Sequence, residues 1–503
     1  MPAIVNARTA SSPLRSPRLR RIVAAYTVNR LGTWFGFIAL AIAVYDHTHS
    51  DLQVAGLLLA AQVIPAFLVP ALVARVETSV HRGALSQLYL FEALATAALA
   101  AVVTWRFTLP AVLLLVALDG TAALAASALL RAAAARAARA WSDEQLELEQ
   151  TAQTRARAEM PPPDTYAAKL VGATEVDANG QPGQNGQSPS PGGWTAEGSP
   201  STLEPERERR AAEAERRANA AINIGFAITF TLGPALAGAT VSALGVATAL
   251  LIDVASFLVC GAMLFDQTPH AEDAETASVR ARLREGWAHI ASAPKLRMLL
   301  LVQAVALVFF EFSPPIEVAY AKSSLHAGDG GYGVLLGVWG LGAAIGSIVF
   351  ARSIKRSLGL LLSAATLAIG IAYLGWAVAP TLALACVAGL IGGVGNGVQW
   401  AALISAVQRM TPDRLHGQLM GAVESIGAIC PGIGYAAGGA IAAGASPRTA
   451  LLVAGVGATA TTVGFVRLRL GGLTSESQAT EPVGPDELEW TADQPASSVG
   501  STP

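Results

Sequence analysis

Apolar and polar residues in this chain fall in long blocks, not at the spacing of strands or of half-buried helices. Twelve stretches are almost uniformly apolar: 22–45, 52–74, 84–105, 109–130, 219–243, 244–265, 298–319, 332–351, 358–378, 382–407, 417–443 and 449–466. Each is 18 to 27 residues long, and their 272 residues hold only seven of the 70 Asp, Glu, Lys and Arg side chains. A helix rising ~1.5 Å per residue needs about 20 apolar residues to cross a hydrocarbon core of ~30 Å. The pattern predicts an all-α membrane protein with twelve transmembrane helices.

Composition removes the other classes. The chain has 503 residues, of which 52% are hydrophobic and 14% charged, with a mean hydropathy of +0.46; soluble chains are about 25% charged. A net charge of −2 gives no basic field for nucleic acid. Cys260, Cys386 and Cys430 all lie in apolar stretches without a CxxC, so they read as small buried hydrophobes and no metal site is expected. With no P-loop, HExxH or nucleophile elbow, the chain reads as a non-enzyme without cofactors. The arginines at 15–21 precede an apolar run, but Asn29 and Arg30 interrupt it and no small-residue cleavage site follows, so an uncleaved first span is expected.

Charge fixes the expected orientation. With both termini cytoplasmic, the inside segments collect 30 of the 34 Lys and Arg residues. The outside loops hold only Arg106, Lys322 and Arg448, which is the positive-inside asymmetry. The expected organisation follows:
a cytoplasmic N-terminal segment at 1–21, helices one to four at 22–138, a cytoplasmic insertion at 139–217, and helices five and six at 218–265. A cytoplasmic middle loop at 266–297, helices seven to twelve at 298–470 and a tail at 471–503 complete it. The centre of the insertion is Gly, Pro, Ser and Gln-rich and cannot form a core. Its flanks, 142–160 and 204–217, are rich in Ala, Glu and Arg and should extend the fourth and fifth helices. In the middle loop, 279–290 alternates charged and apolar residues at helical spacing, which predicts a surface helix with Trp287 and Ile290 dipping inward.

The two halves share a register. At an offset of 277, Gly56-Leu-Leu-Leu meets Gly333-Val-Leu-Leu and Ala74-Arg75 meets Ala351-Arg352. At an offset of 201, Gly233 meets Gly434, Gly238 meets Gly439, and Thr248-Ala-Leu-Leu meets Thr449-Ala-Leu-Leu. Six helices followed by six is a recurrent transporter plan. Gly342-x-x-x-Gly346, Gly393-x-x-x-Gly397 and Gly434-x-x-x-Gly438 put small faces on three helices, for close packing or for sliding.

On these residues the chain resembles the major facilitator superfamily, and within it the enterobactin-exporter-like and multidrug efflux branch. The resemblance is carried by Asn29-Arg-Leu-Gly-Thr-Trp in the first span and by Asn219-Ala-Ala-Ile-Asn with Leu232-Gly-Pro-Ala-Leu-Ala-Gly across the fifth. Arg284-Glu-Gly-Trp and Arg409-Met-Thr-Pro-Asp-Arg-Leu-His-Gly add to it. It implies two six-helix bundles and carriage of a small molecule. Gly233, Pro234 and Gly238 nearly match the family's GPxxGG antiporter signature, with Ala237 in place of one glycine. The family's Gly-x-x-x-Asp-Arg gate motif is altered here: Arg75 and Arg82 suit it, Ala74 stands at the acid position, and Glu77 is the available substitute.

Charge inside hydrocarbon costs roughly 2.5–3.5 kcal/mol on insertion scales, so it is a functional hypothesis by default. The candidates for proton coupling or substrate binding are Asp119, Glu311, Arg30 and Glu92. Asp119 reads either as a coupling carboxylate or as a structural partner of Arg30 or of a neighbouring helix. Arg30 reads as neutralising an acid or binding an anion. Glu311 precedes Pro314-Pro315, which must break the helix. Asp253 reads as structural. Asn223, Gln303, Asn396 and Gln399 are polar candidates for lining a cavity or for bonds between helices.

The leading expectation is a monomeric transporter in the cell membrane that exports a small amphipathic compound, a drug or siderophore, in exchange for protons. The alternative is a non-transporting sensor or scaffold using the cytoplasmic insertion.

Overall fold

The computed structural model describes residues 13–66, 83–159, 200–266, 288–353, 355–411 and 416–467. Every regular element among them is helical. Twelve principal helices occupy the twelve apolar stretches: α1 Pro17–Thr48, α2 Asp51–Leu58, α3 Ala84–Trp105, α4 Leu109–Glu159, α5 Pro200–Leu244 and α6 Val246–Met263 in one half. In the other are α7 Pro294–Phe310, α8 Gly328–Arg352, α9 Leu358–Val378, α10 Leu382–Arg409, α11 His416–Gly444 and α12 Pro447–Arg467. Nine of the described helices are by themselves long and apolar enough to cross a bilayer. Of the other three, α2 continues as a π-helical turn at Leu59–Val63 and α7 stops early at Phe310. This is the expected all-α membrane architecture.

Helix ends follow local chemistry. Prolines begin α7 and α12, where a missing N–H has no cost. Ser357 and Thr381 cap α9 and α10 by accepting from the Leu360 and Leu384 amides at 3.3 and 3.5 Å. Between α5 and α6 the chain reverses on Gly245 alone, at φ 84° and ψ 166°, a conformation open in practice only to glycine.

The chain forms two compact units, residues 1–43 with 60–274 and residues 44–59 with 275–503. The short stretch 44–59, expected with the first half, groups with the second. Within that second unit Lys322 bonds Asp46 at 2.5 Å and Asp329 at 2.7 Å, and the start of α2 lies against Gly439 of α11.

In the first unit α3 packs on α4 and α6, and α4 on α5. Leu19, Ile22, Tyr26, Tyr89, Leu129, Leu130 and Phe257 make its core. Beyond the apolar span, α4 and α5 run on without a break as a paired stalk, as the composition of the insertion's flanks predicts. Ala134, Ala137, Ala138, Ala214 and Ala218 are buried there, and Arg139–Glu215, Arg207–Asp143 and Arg210–Glu149 pair across it.

In the second unit α8 and α10 interlock through glycines. A Cβ on Gly342 or Gly346 would strike the backbone of α10 at Leu390–Val394, and one on Gly393 or Gly397 would strike α8 at Trp339 or Ala343. Gly434 and Gly438 of α11 meet the backbone of residues 308–312 in the same way. These contacts account for the glycine motifs by close packing.

Candidate functional site

The first unit brings its membrane-embedded charges together. Gly32 and Gly36, one turn apart on α1, leave a small-residue groove into which α6 projects Asp253; a Cβ on either would collide with its carboxylate or with the Ser256 hydroxyl. Asp253 is 4% exposed; the Ser256 hydroxyl donates to its backbone carbonyl at 2.8 Å and lies 3.4 Å from its Oδ1. On α3, Glu92 is 0% exposed and neither carboxylate oxygen has a hydrogen-bond partner. Glu92 lies within electrostatic reach of Asp119, Asp253 and Arg30. Asp119 on α4 is half-buried and accepts from Thr96 Oγ1 at 3.2 Å. Asn29 on α1 donates to the Tyr89 hydroxyl at 3.4 Å, one turn from Glu92.

Arg30 departs from one of its expected readings. Among the described residues it forms no ion pair with Asp119 or with any other acid. Its guanidinium instead lies over the Tyr26 and Phe226 rings, 5.7 and 5.9 Å from their centroids. The aromatic faces supply partial negative charge without a carboxylate. Asp253, for which the sequence favours a structural role, lies within electrostatic reach of Glu92 and Asp119. The signal that could have found it was Gly32-x-x-x-Gly36 on α1 combined with Ser256 one turn along α6. No single-helix pattern couples those positions.

The antiporter-like motif has a packing role. Gly233, Pro234 and Gly238 are buried on α5, and Gly233 makes room for the Trp34 ring of α1. Asn223, on the same helix, is exposed.

The second unit places its acids at a helix break. α7 ends at Phe310, and Glu311 to Ile316 turn before a short helix at Glu317–Ala319 and a π-helical turn at Tyr320–Ser324. Pro314-Pro315 cannot continue the i→i−4 ladder, so the freed Phe310 carbonyl accepts from the Tyr373 hydroxyl at 3.0 Å. Glu311 is half-buried against α11 near Gly434 and within hydrogen-bonding reach of Tyr435. Glu317 is buried and accepts from Ser313 at 2.6 Å. Gln303 and Gln399 form part of the packed interior: Gln399 Nε2 donates to Gln303 Oε1 at 3.4 Å and to Thr366 Oγ1 at 3.0 Å. These two glutamines bind helices together, whereas a cavity was the other expectation. Asn396 is half-buried on α10.

At the loop end of this unit Lys322 is flanked by Asp46 and Asp329. Burial works to lower its pKa, but the two carboxylates outweigh that and hold the ammonium above the ordinary lysine value. Arg75, Glu77 and Arg82 of the gate loop lie outside the described residues, as do the centre of the insertion, the tail and residues 279–287 of the expected surface helix. Ile290, beyond that segment, is buried in the second unit's core.

Comparison with known proteins turns this architecture into a family. A family described as a transmembrane secretion effector of the MFS type matches residues 211–500, more than half of the chain. The chain belongs to the major facilitator superfamily. No curated protein sequence matches this transporter. Among solved structures it is similar to the nucleoside transporter NupG, 11% identical over 90% of this chain and 99% of that one, with a TM-score of 0.58. It is also similar to a bacterial homologue of the iron transporter ferroportin, 16% identical over 91% and 99%, TM-score 0.57. A bacterial homologue of the human lysosomal transporter Spinster is 12% identical over 91% and 96%, TM-score 0.54. Identities this low speak for the fold alone. The protein is thus a multi-pass membrane transporter of the MFS type that takes a small-molecule substrate.

Proposed function

We propose that this transporter exports a small amphipathic compound of the drug or siderophore class in exchange for protons, by alternating access. The observation that carries the reading is Glu92: a carboxyl inside an apolar span, fully buried, with both oxygens unpartnered and two further acids nearby. An ionised carboxylate in such a place costs several kcal/mol unless paired. The side chain therefore gains or loses a proton whenever its access to water changes, which is what coupling requires. Asp119 and Asp253 offer further stations, and Glu311 sits at the only described break in a spanning helix of the second unit. In this reading the protein is a monomer in the cell membrane with both termini and the stalk in the cytoplasm, as the Lys and Arg distribution supports.

The test is accumulation of a panel of cationic, neutral and anionic fluorescent aromatic compounds in cells, with and without a proton uncoupler. Uncoupler-sensitive efflux is expected from the wild type and is lost in Glu92→Gln at unchanged amounts of folded protein. Efflux that ignores both the uncoupler and the substitution refutes the reading.

The stalk favours a second reading, a scaffold or sensor, because its three interhelix ion pairs build a solvent-projecting hairpin that carriage does not need. Deleting residues 161–203 separates the two. A carrier keeps its efflux, whereas a scaffold loses its partner.

A further inference from the structure

Among the described residues Arg30 is the one cation of the first unit's embedded cluster, and the proton chemistry above assigns it no step. A guanidinium presents five N–H donors in a planar fork. Among the described residues none of these donors makes a hydrogen bond or ion pair; the guanidinium lies over the Tyr26 and Phe226 rings. The residue is half-buried, so part of it remains open to a ligand. On the same helix the Tyr26 hydroxyl and the Asn29 side-chain oxygen are buried, and both lack a partner. An aromatic wall continues from this point. Phe226 stacks on Phe230 at 5.6 Å, and Phe230 meets Trp34 edge-on at 5.5 Å.

The acids nearby do not fill the fork. Glu92 feels the charge of Arg30 without touching it, Asp119 is engaged by Thr96, and Asp253 by Ser256. Glu92 also has unused bonding capacity but is fully buried, whereas the arginine is only half-buried, which favours an anionic ligand here over a cationic one. A planar cation on an aromatic floor suits a planar oxyanion carried on a flat apolar body.

We propose that Arg30 is an anion-binding subsite that takes the carboxylate of an aromatic compound, whose ring lies along Phe226, Phe230 and Trp34. The assignment rests on the transporter reading and gives it a substrate class.

The test is equilibrium binding to the full chain in lipid nanodiscs, without any gradient, using 2-naphthoate, the neutral 2-naphthamide and a naphthyl trimethylammonium ion. Naphthoate is expected to bind the wild type most tightly. It should bind Arg30→Gln roughly tenfold or more weakly, the usual loss when a charge-assisted bond is removed, while naphthamide binds both alike. Arg30→Lys keeps the charge and loses the fork, so it carries the test should the glutamine variant not fold. It must weaken naphthoate more than naphthamide. Absence of naphthoate binding to the wild type, affinity for it unchanged by both substitutions, or tighter binding of the ammonium ion each overturns the assignment. Proton-driven efflux failing while naphthoate binding stays dependent on Arg30 would instead refute only the coupling reading.

Discussion

Glu92 and Glu317 are the same residue type at similar burial, yet their surroundings give them opposite characters. Ser313 holds Glu317 at 2.6 Å, whereas Glu92 has nothing to hold it. Glu317→Gln is therefore expected to lower stability by disturbing a buried bond, about 1–3 kcal/mol. Glu92→Gln should leave the melting temperature in detergent nearly unchanged, because no bond is lost. Arg448 offers a further test. It donates to the Ala377, Ser324 and Ala379 carbonyls at 3.0, 3.2 and 2.8 Å, pinning the end of α9 to the π-helical turn. Arg448→Ala should cost about 1.5–3 kcal/mol in unfolding experiments, the range for bonds to a charged donor. That Glu92, Asp119 and Glu311 fall within long apolar stretches was legible in the sequence, because it is a matter of position along one helix. Their surroundings were not: Thr96, which bonds Asp119, and Phe226, which lies under Arg30 where an acid was one expectation, come from other helices.

The helices themselves were the most legible level, since a block of some twenty apolar residues has only one way to satisfy its backbone in lipid. The break after Phe310 followed from Pro314-Pro315 in the same way. The choice between packing and sliding for the glycine motifs could not be read, because it depends on what faces each glycine across the interface. At Gly342 and Gly393 that neighbour is backbone, which cannot move aside as a side chain can. Gly393→Leu should thus cost about 1–3 kcal/mol or prevent folding, and is checked by thermal unfolding of the purified protein. The stalk behaves differently, being held by exposed ion pairs worth roughly 0.2–1 kcal/mol each and screened by salt. Arg210→Glu should loosen it and adding Glu149→Arg should restore it, as read by spin-label distances between α4 and α5, with the difference shrinking at high salt. The Lys322 clasp carries a pH dependence. Its folded pKa is raised, so its contribution is complete below the ordinary lysine pKa of about 10.4 and fades as pH rises through the higher folded value. An alkaline stability titration should show this loss in the wild type and not in Lys322→Gln.

For the molecule as a whole, two matching offsets in the sequence anticipate six helices followed by six, and the superfamily assignment agrees. The unit boundaries differ from that simple halving, because residues 44–59 group with the second unit by contacts such as Lys322–Asp46, made across 276 positions of sequence. The long α4 and α5 have a practical side as well. From Leu109 to Glu159 one helix continues for 51 residues, first through the apolar span and then alongside its partner α5. A folded module spliced rigidly onto the ends of that pair would rotate in step with the transmembrane part. It would give electron microscopy a landmark by which to align the particle.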